Sequence, residues 1–111
     1  MKISNHKNFV VLEDEMDDVK KFASFLEFQI TKKYKGQNVI INLLNNNQLS
    51  LTGLLLFLNV SNLHRSTKHS FVLINDTINP DDIPSEMIVV PTLQEAEDII
   101  EMEEIERELG F

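Results

Sequence analysis

The chain has 111 residues, 42% of them hydrophobic and 25% charged, and carries a net charge of -8 at neutral pH. That fits one domain with a modest core, and the negative charge disfavours the long-range attraction to phosphate on which nucleic-acid binders and anionic membrane surfaces depend. With no cysteine present, disulfides, thiolate metal sites and cysteine nucleophiles are excluded, as suits a cytoplasmic protein.

The longest apolar runs fall well short of the roughly 20 residues that span a bilayer, and residues 1–9 are too polar for the apolar part of a signal peptide. The expectation is a soluble, unprocessed protein with no direct nucleic-acid or membrane contact. For such a chain a basic or apolar protein partner is electrostatically easiest.

After nine polar-leaning residues, Phe9-Val10-Val11-Leu12 predicts a first strand, and Glu13-Asp14-Glu15 ends it in a turn. Asp17 or Asp18 can cap the helix that follows. From Val19 to about Tyr34, the residues Val19, Phe22, Ala23, Leu26 and Ile30 recur at three- and four-residue steps and make the core-facing stripe. Phe25 lies at its edge and Phe28 on the solvated side, as a scattered exposed apolar residue. Lys32, Lys33 and Lys35 suit the negative end of the helix dipole, and Gly36 suits a left-handed stop.

Val39 to Leu44 has almost no polar alternation and predicts a central strand covered on both faces, ended by the turn-forming Asn45-Asn46-Asn47. Ser50 is a good N-cap, with Thr52 in the same first turn, for one helix running to Arg65. Leu51, Leu54, Leu55 and Leu58 share a stripe; Leu56, Val60 and Leu63 lie round from it, and Phe57 is on the other flank. A helix this apolar is either sandwiched or presents a second face to a partner. Leu56, Val60 and Leu63, with Ser50 and Thr52 at the rim, are therefore the candidate partner-binding residues.

His64, Arg65, Lys68 and His69 form the most basic patch, read as compensation of the helix C-terminus plus a solvated loop. Two histidines without a spaced third ligand make a weak metal signal. Phe71 to Ile74 predicts the third strand. The stretch from Thr77 to Pro84 has turn composition with one helical turn, and Asp76, Asp81 and Asp82 lack the spacing of a calcium loop. No metal and no cofactor is expected.

Met87 to Val90 predicts the fourth strand, closed by Pro91, and Thr92 caps an acidic last helix. There Leu93, Ala96, Ile99 and Ile100 share one stripe, whereas Met102, Ile105 and Leu109 fall on another side at coiled-coil spacing. Either the helix bends near Glu101 and wraps back, or these three residues form a dimer seam.

Strands alternating with helices predict a single α/β domain over residues 1–111, with a sheet of about four strands, mixed or largely parallel, and three to four helices. The core is expected over about residues 9–101, with 102–111 as an acidic helical extension. The alternation also allows thioredoxin-like or small flavodoxin-like arrangements, without the Cys-x-x-Cys or Gly-rich turn of either.

The sequence NVIINLL, a loop, then SLTGLLLFL resembles the core of STAS domains, the anti-sigma-factor antagonists, in which a strand leads through an Asp-Ser-Ser-Gly-Leu type turn into a helix. Phe71 to Ile74 and the ending VVPTLQEAEDII also resemble that family, over about residues 38–100. The resemblance implies a STAS-like fold and a non-catalytic, regulatory protein-interaction module. In the closest register, Leu51 occupies the position that the family phosphorylates, so the usual phosphoserine switch is lost. Ser50 or Thr52 could carry phosphate instead, although both also serve as caps. The chain also opens with one strand and a long helix where the family opens with a strand pair.

The ending IPSEMIVVPTLQEAEDIIEMEEIERELGF is further similar to small bacterial proteins that carry the label ribonuclease Z. That enzyme's His-x-His-x-Asp-His motif is missing, so this resemblance implies at most an accessory to tRNA 3'-processing. A structural homodimer through Met102, Ile105 and Leu109 is the other alternative, and an enzyme is not expected.

Overall fold

The computed structural model describes residues 1–110; residue 111, the end of the predicted acidic extension, lies outside the described residues. The backbone forms β1 (Lys2–Asn5), β2 (Val10–Glu13), α1 (Val19–Lys32), β3 (Val39–Asn42), α2 (Leu51–Leu55), α3 (Leu58–Arg65), β4 (Phe71–Ile74), a 3-10 turn (Pro80–Asp82), β5 (Ile88–Val90) and α4 (Leu93–Glu108). It is an α/β domain with a five-stranded mixed sheet in the order β1-β2-β3-β4-β5. β1 is antiparallel to β2, and β2 to β5 run parallel.

The fifth strand corrects the expectation of four. All four β1 side chains are exposed, so the segment lacks the alternation that marks a half-buried strand. It is held by backbone pairing, Lys2 opposite Glu13 and Asn5 opposite Val10. The chain therefore does open with a pair of strands.

Each parallel crossover steps to the next strand in the same direction, which places successive helices on one face. Phe22, Leu26 and Ile30 of α1 and Leu54, Phe57 and Val60 accordingly share a cluster with Val10, Leu12, Val39, Ile41, Phe71 and Leu73. The alternate strand residues Val11, Ile40, Val72 and Ile74 point the other way, onto Ala96 and Ile100 of α4. β3 and β4 are thus covered on both sides, which is why VII and FVLI are continuously apolar.

α1 begins and ends much as its sequence predicts. Asp18 is the N-cap, its side chain accepting from the Lys21 amide, and Phe22, Ala23, Leu26 and Ile30 are buried. Gly36 does not supply a left-handed stop, because positive φ occurs among the described residues only at Asp17, Lys68 and Gly110. The turn between β2 and α1 is tied by Asp14 rather than by solvated acids: its buried carboxylate accepts from the amides of Met16 (3.0 Å) and Asp18 (2.8 Å). Asn75 does the same work after β4, where its Oδ1 accepts from the amides of Thr77 and Ile78 while Nδ2 donates to the Leu43 and Asn46 carbonyls.

The predicted single helix from Ser50 to Arg65 is broken. Leu56 N–H bonds to the Gly53 carbonyl and Phe57 N–H to the Leu54 carbonyl, three residues back instead of four. Such a tightened turn superposes side chains at i and i+3. Leu54, Phe57 and Val60 consequently all point into the core, and Phe57 meets Phe22 edge to face at 6.2 Å. No helix among the described residues is long and apolar enough to cross a membrane.

Candidate functional site

The tightened turn decides what the α2–α3 segment shows to solvent. Ser50 caps α2, its Oγ accepting from the Gly53 amide at 3.0 Å, and both Ser50 and Thr52 are exposed. Leu51, Leu55, Leu56 and Leu63 are 38%, 40%, 38% and 50% exposed, with Thr52, Asn59 and Asn62 on the same outer side. Two corrections follow. Val60, expected on the partner face, is 1% exposed and belongs to the core, and the stripe expected to hold Leu51, Leu54 and Leu55 together is split, with Leu54 buried and Leu51 and Leu55 looking outward.

This outer face carries no charged side chain of its own, in a chain that is 25% charged. One margin is polar, where Asn62 Nδ2 donates to Glu86 at 3.2 Å; at the other, Leu63 borders a mainly apolar cleft of about 230 Å³ shared with Ile30, Thr31 and Lys35. On neighbouring α1 the exposed Phe28 lies under the Lys32 ammonium, 4.3 Å from the ring centre, a cation–π contact one turn apart. Phe28 is therefore partly covered within its own helix.

Next to Ser50, at the carboxyl ends of β2 and β3, a polar depression of about 480 Å³ is bounded by Asp17, Asn45, Asn46, Asn47 and Gln48. Open parallel sheets place ligands at this edge where the strand order reverses, and the order β2-β3-β4-β5 has no such reversal. Asn46 Nδ2 donates to Asp17 at 2.7 Å and the Ser50 hydroxyl accepts from its own helix, whereas the buried Asn46 Oδ1 has no hydrogen-bond partner. Among the described residues no three His, Asp or Glu side chains gather as metal ligands.

The basic patch expected at His64, Arg65, Lys68 and His69 is divided by the fold. His64 is buried at 2% exposure, its Nε2–H donating to the Gln37 carbonyl at 2.6 Å. Burial holds its pKa below the usual histidine value, with a smaller contribution from nearby His69, against the opposing effect of the Gln37 bond. Arg65 turns to Glu103 at 3.2 Å. Lys68 and His69 instead join His6, Lys7 and Arg107 round a groove of about 470 Å³ at the amino ends of the strands. α1 and α3 end on this side of the sheet, and cations suit their carbonyl ends.

α4 contains a site that sequence reasoning missed. Its apolar inner stripe does not rotate away after Glu101; it turns polar. Ala96 and Ile100 are followed on the same side by Glu103 and Arg107, at the spacing that continues one face. Glu103 accepts from Ser70 Oγ (2.6 Å) and from Arg65, Glu104 from Asn38 Nδ2 (2.6 Å), and Arg107 donates to Asn38 Oδ1 (3.3 Å) and Ser70 Oγ (3.2 Å). Asn38 and Ser70 lie just before β3 and β4, so this network pins the second half of α4 to the amino end of the sheet. Met102, Ile105 and Leu109, which sequence periodicity allowed to wrap back, stay exposed on the outer side of an unbroken helix.

No protein-family model matches the chain, and a search of the curated proteins returns no match to it.

Proposed function

We propose that the chain is a non-catalytic protein-interaction module of STAS-like build that binds its partner through the outer face of α2 and α3. The observation that carries this reading is the uncharged patch of Leu51, Leu55, Leu56 and Leu63, with Ser50 and Thr52 at its edge. Burying exposed leucine stabilises a complex by roughly 25 cal/mol per Å² of apolar area, and a face without charges avoids desolvation costs that a charged one incurs. The strand pair ahead of α1 and the strand-turn-helix order around Ser50 support the STAS-like part of the reading. Leu51 at the register position of the family's phosphoserine makes the interaction constitutive with respect to that switch. The proposed setting is the cytoplasm.

The test is recovery of interacting proteins from native cells with tagged wild type, Leu56→Asp and Leu63→Asp. Both variants are expected to keep the far-UV spectrum and lose a partner that wild type retains. Equal recovery by folded variants would sink the proposal.

A further inference from the structure

The outer side of α4 is a second apolar surface, and its charges say what fits it. Met102, Ile105 and Leu109 are 57%, 51% and 66% exposed. Their three-then-four spacing is that of a coiled-coil seam, with Met102 and Leu109 at a positions and Ile105 at d. They cannot serve the domain's own core, because the opposite side of the same helix is already fixed to the sheet by Ala96, Ile100, Glu103 and Arg107.

In that frame the flanking e and g positions are Glu101, Glu106 and Glu108, and the preceding d is Asp98. All four are exposed. Arg107, the basic residue of α4, falls at f and is turned inward to Asn38 and Ser70. The rim acids Glu106 and Glu108 border clefts that also hold Lys68 and Arg107, while the seam side of α4 carries no basic residue of its own.

A second copy of the chain is a poor occupant. Parallel pairing sets g against e, Glu101 against Glu106; antiparallel pairing sets e against e and g against g. Every such pair is acid against acid, and like charges at these positions select against association. A helix with apolar a and d residues and Lys or Arg at e and g reverses every one of these contacts. The net charge of -8 also speeds its approach.

We propose that α4 docks a basic-flanked amphipathic helix of another protein along Met102, Ile105 and Leu109. The surface is distinct from the leucine face of α2 and α3 and takes a different partner chemistry. From Asp98 to Leu109 it runs for about 16 Å, so about three turns of the incoming helix are engaged.

The probe is a labelled synthetic three-heptad peptide with Leu at a and d and Lys at e and g, set against a scrambled peptide of the same composition, with binding followed by fluorescence anisotropy. The heptad peptide is expected to bind the full chain at least tenfold more tightly than the scramble. Ile105→Glu, at an exposed position that leaves the thermal transition in place, is expected to remove that preference, whereas Leu56→Asp leaves it intact. Equal binding of both peptides, lost together in high salt, would show attraction by net charge alone and overturn the proposal. So would a wild-type dimer in sedimentation equilibrium that Ile105→Glu makes monomeric, since the second copy would then be the occupant.

Discussion

Asn38 Nδ2 donates to Glu104 Oε1 at 2.6 Å across 66 positions of sequence, and it joins the foot of β3 to the far half of α4. The same amide donates to the Asn8 carbonyl, and its Oδ1 accepts from the Ser70 amide at 2.8 Å. Asn38→Ala leaves several groups without partners where water has little access. The expected cost is about 2–3 kcal/mol, read as a lower urea midpoint at unchanged slope. Glu104→Ala removes one half-exposed partner and is expected to cost about 1 kcal/mol.

His64 makes stability depend on pH in a stated direction. Its folded pKa lies below the ordinary value of about 6.5. Above that pH both folded and unfolded chains hold the ring neutral. Below it the unfolded chain takes up the proton first, so stability falls as pH drops from about 6.5 towards the folded pKa. Urea midpoints at pH about 7.5 and 5.5 should decline in wild type, and decline less in His64→Gln, which keeps a donor for the Gln37 carbonyl but does not titrate. Parallel declines would remove His64 as the cause.

Val60 and Leu63, three residues apart, should respond oppositely to the same change. Val60→Asp places a carboxylate in the core and is expected to unfold the domain. Leu63→Asp, at a half-exposed site, is expected to shift stability by no more than about 0.5 kcal/mol. Circular dichroism and thermal melting separate the two outcomes.

Phe57 and Phe28 form a similar contrast among aromatics. Phe57 is fully buried against Phe22, so Phe57→Ala is expected to cost about 3–5 kcal/mol. Phe28→Ala loses only an exposed ring and its contact with Lys32, about 0.5–1 kcal/mol. Calorimetric midpoints rank them.

Lys68 has φ of 66° in the turn after α3, and its side chain is exposed. A side chain there is strained by about 1 kcal/mol that glycine does not incur. Lys68→Gly is therefore expected to stabilise the domain by about 0.5–1 kcal/mol, which raises the melting temperature by about 2–6 °C.

Residues whose burial repeats at a regular period were legible in the sequence. FVLI lies on β4 as predicted, Thr92 caps α4 through the Glu95 amide, and the α1 stripe Phe22, Ala23, Leu26 and Ile30 is buried. What escaped has no such signature. β1 is set by backbone pairing alone, and the kink at Leu56-Phe57 follows from the packing of Phe57, a tertiary demand that a uniform helical wheel cannot show. On that wheel Val60 shares a side with Leu56 and Leu63, and Leu51 and Leu55 share a stripe with Leu54; in the fold Leu56 and Leu63 stay on the candidate face while Val60 and Leu54 turn into the core. The Asn38, Ser70, Glu103, Glu104 and Arg107 network has no apolar periodicity to mark it, because its members are polar and distant in sequence. The i, i+4, i+7, i+11 series from Ala96 through Ile100 and Glu103 to Arg107 was the available signal.

α4 is the one helix laid over Val11, Ile40, Val72 and Ile74. All five strands leave the ribosome before it does. Until residues 93–108 have emerged, one face of the sheet remains bare apolar surface of the kind that makes partly formed chains prone to associate.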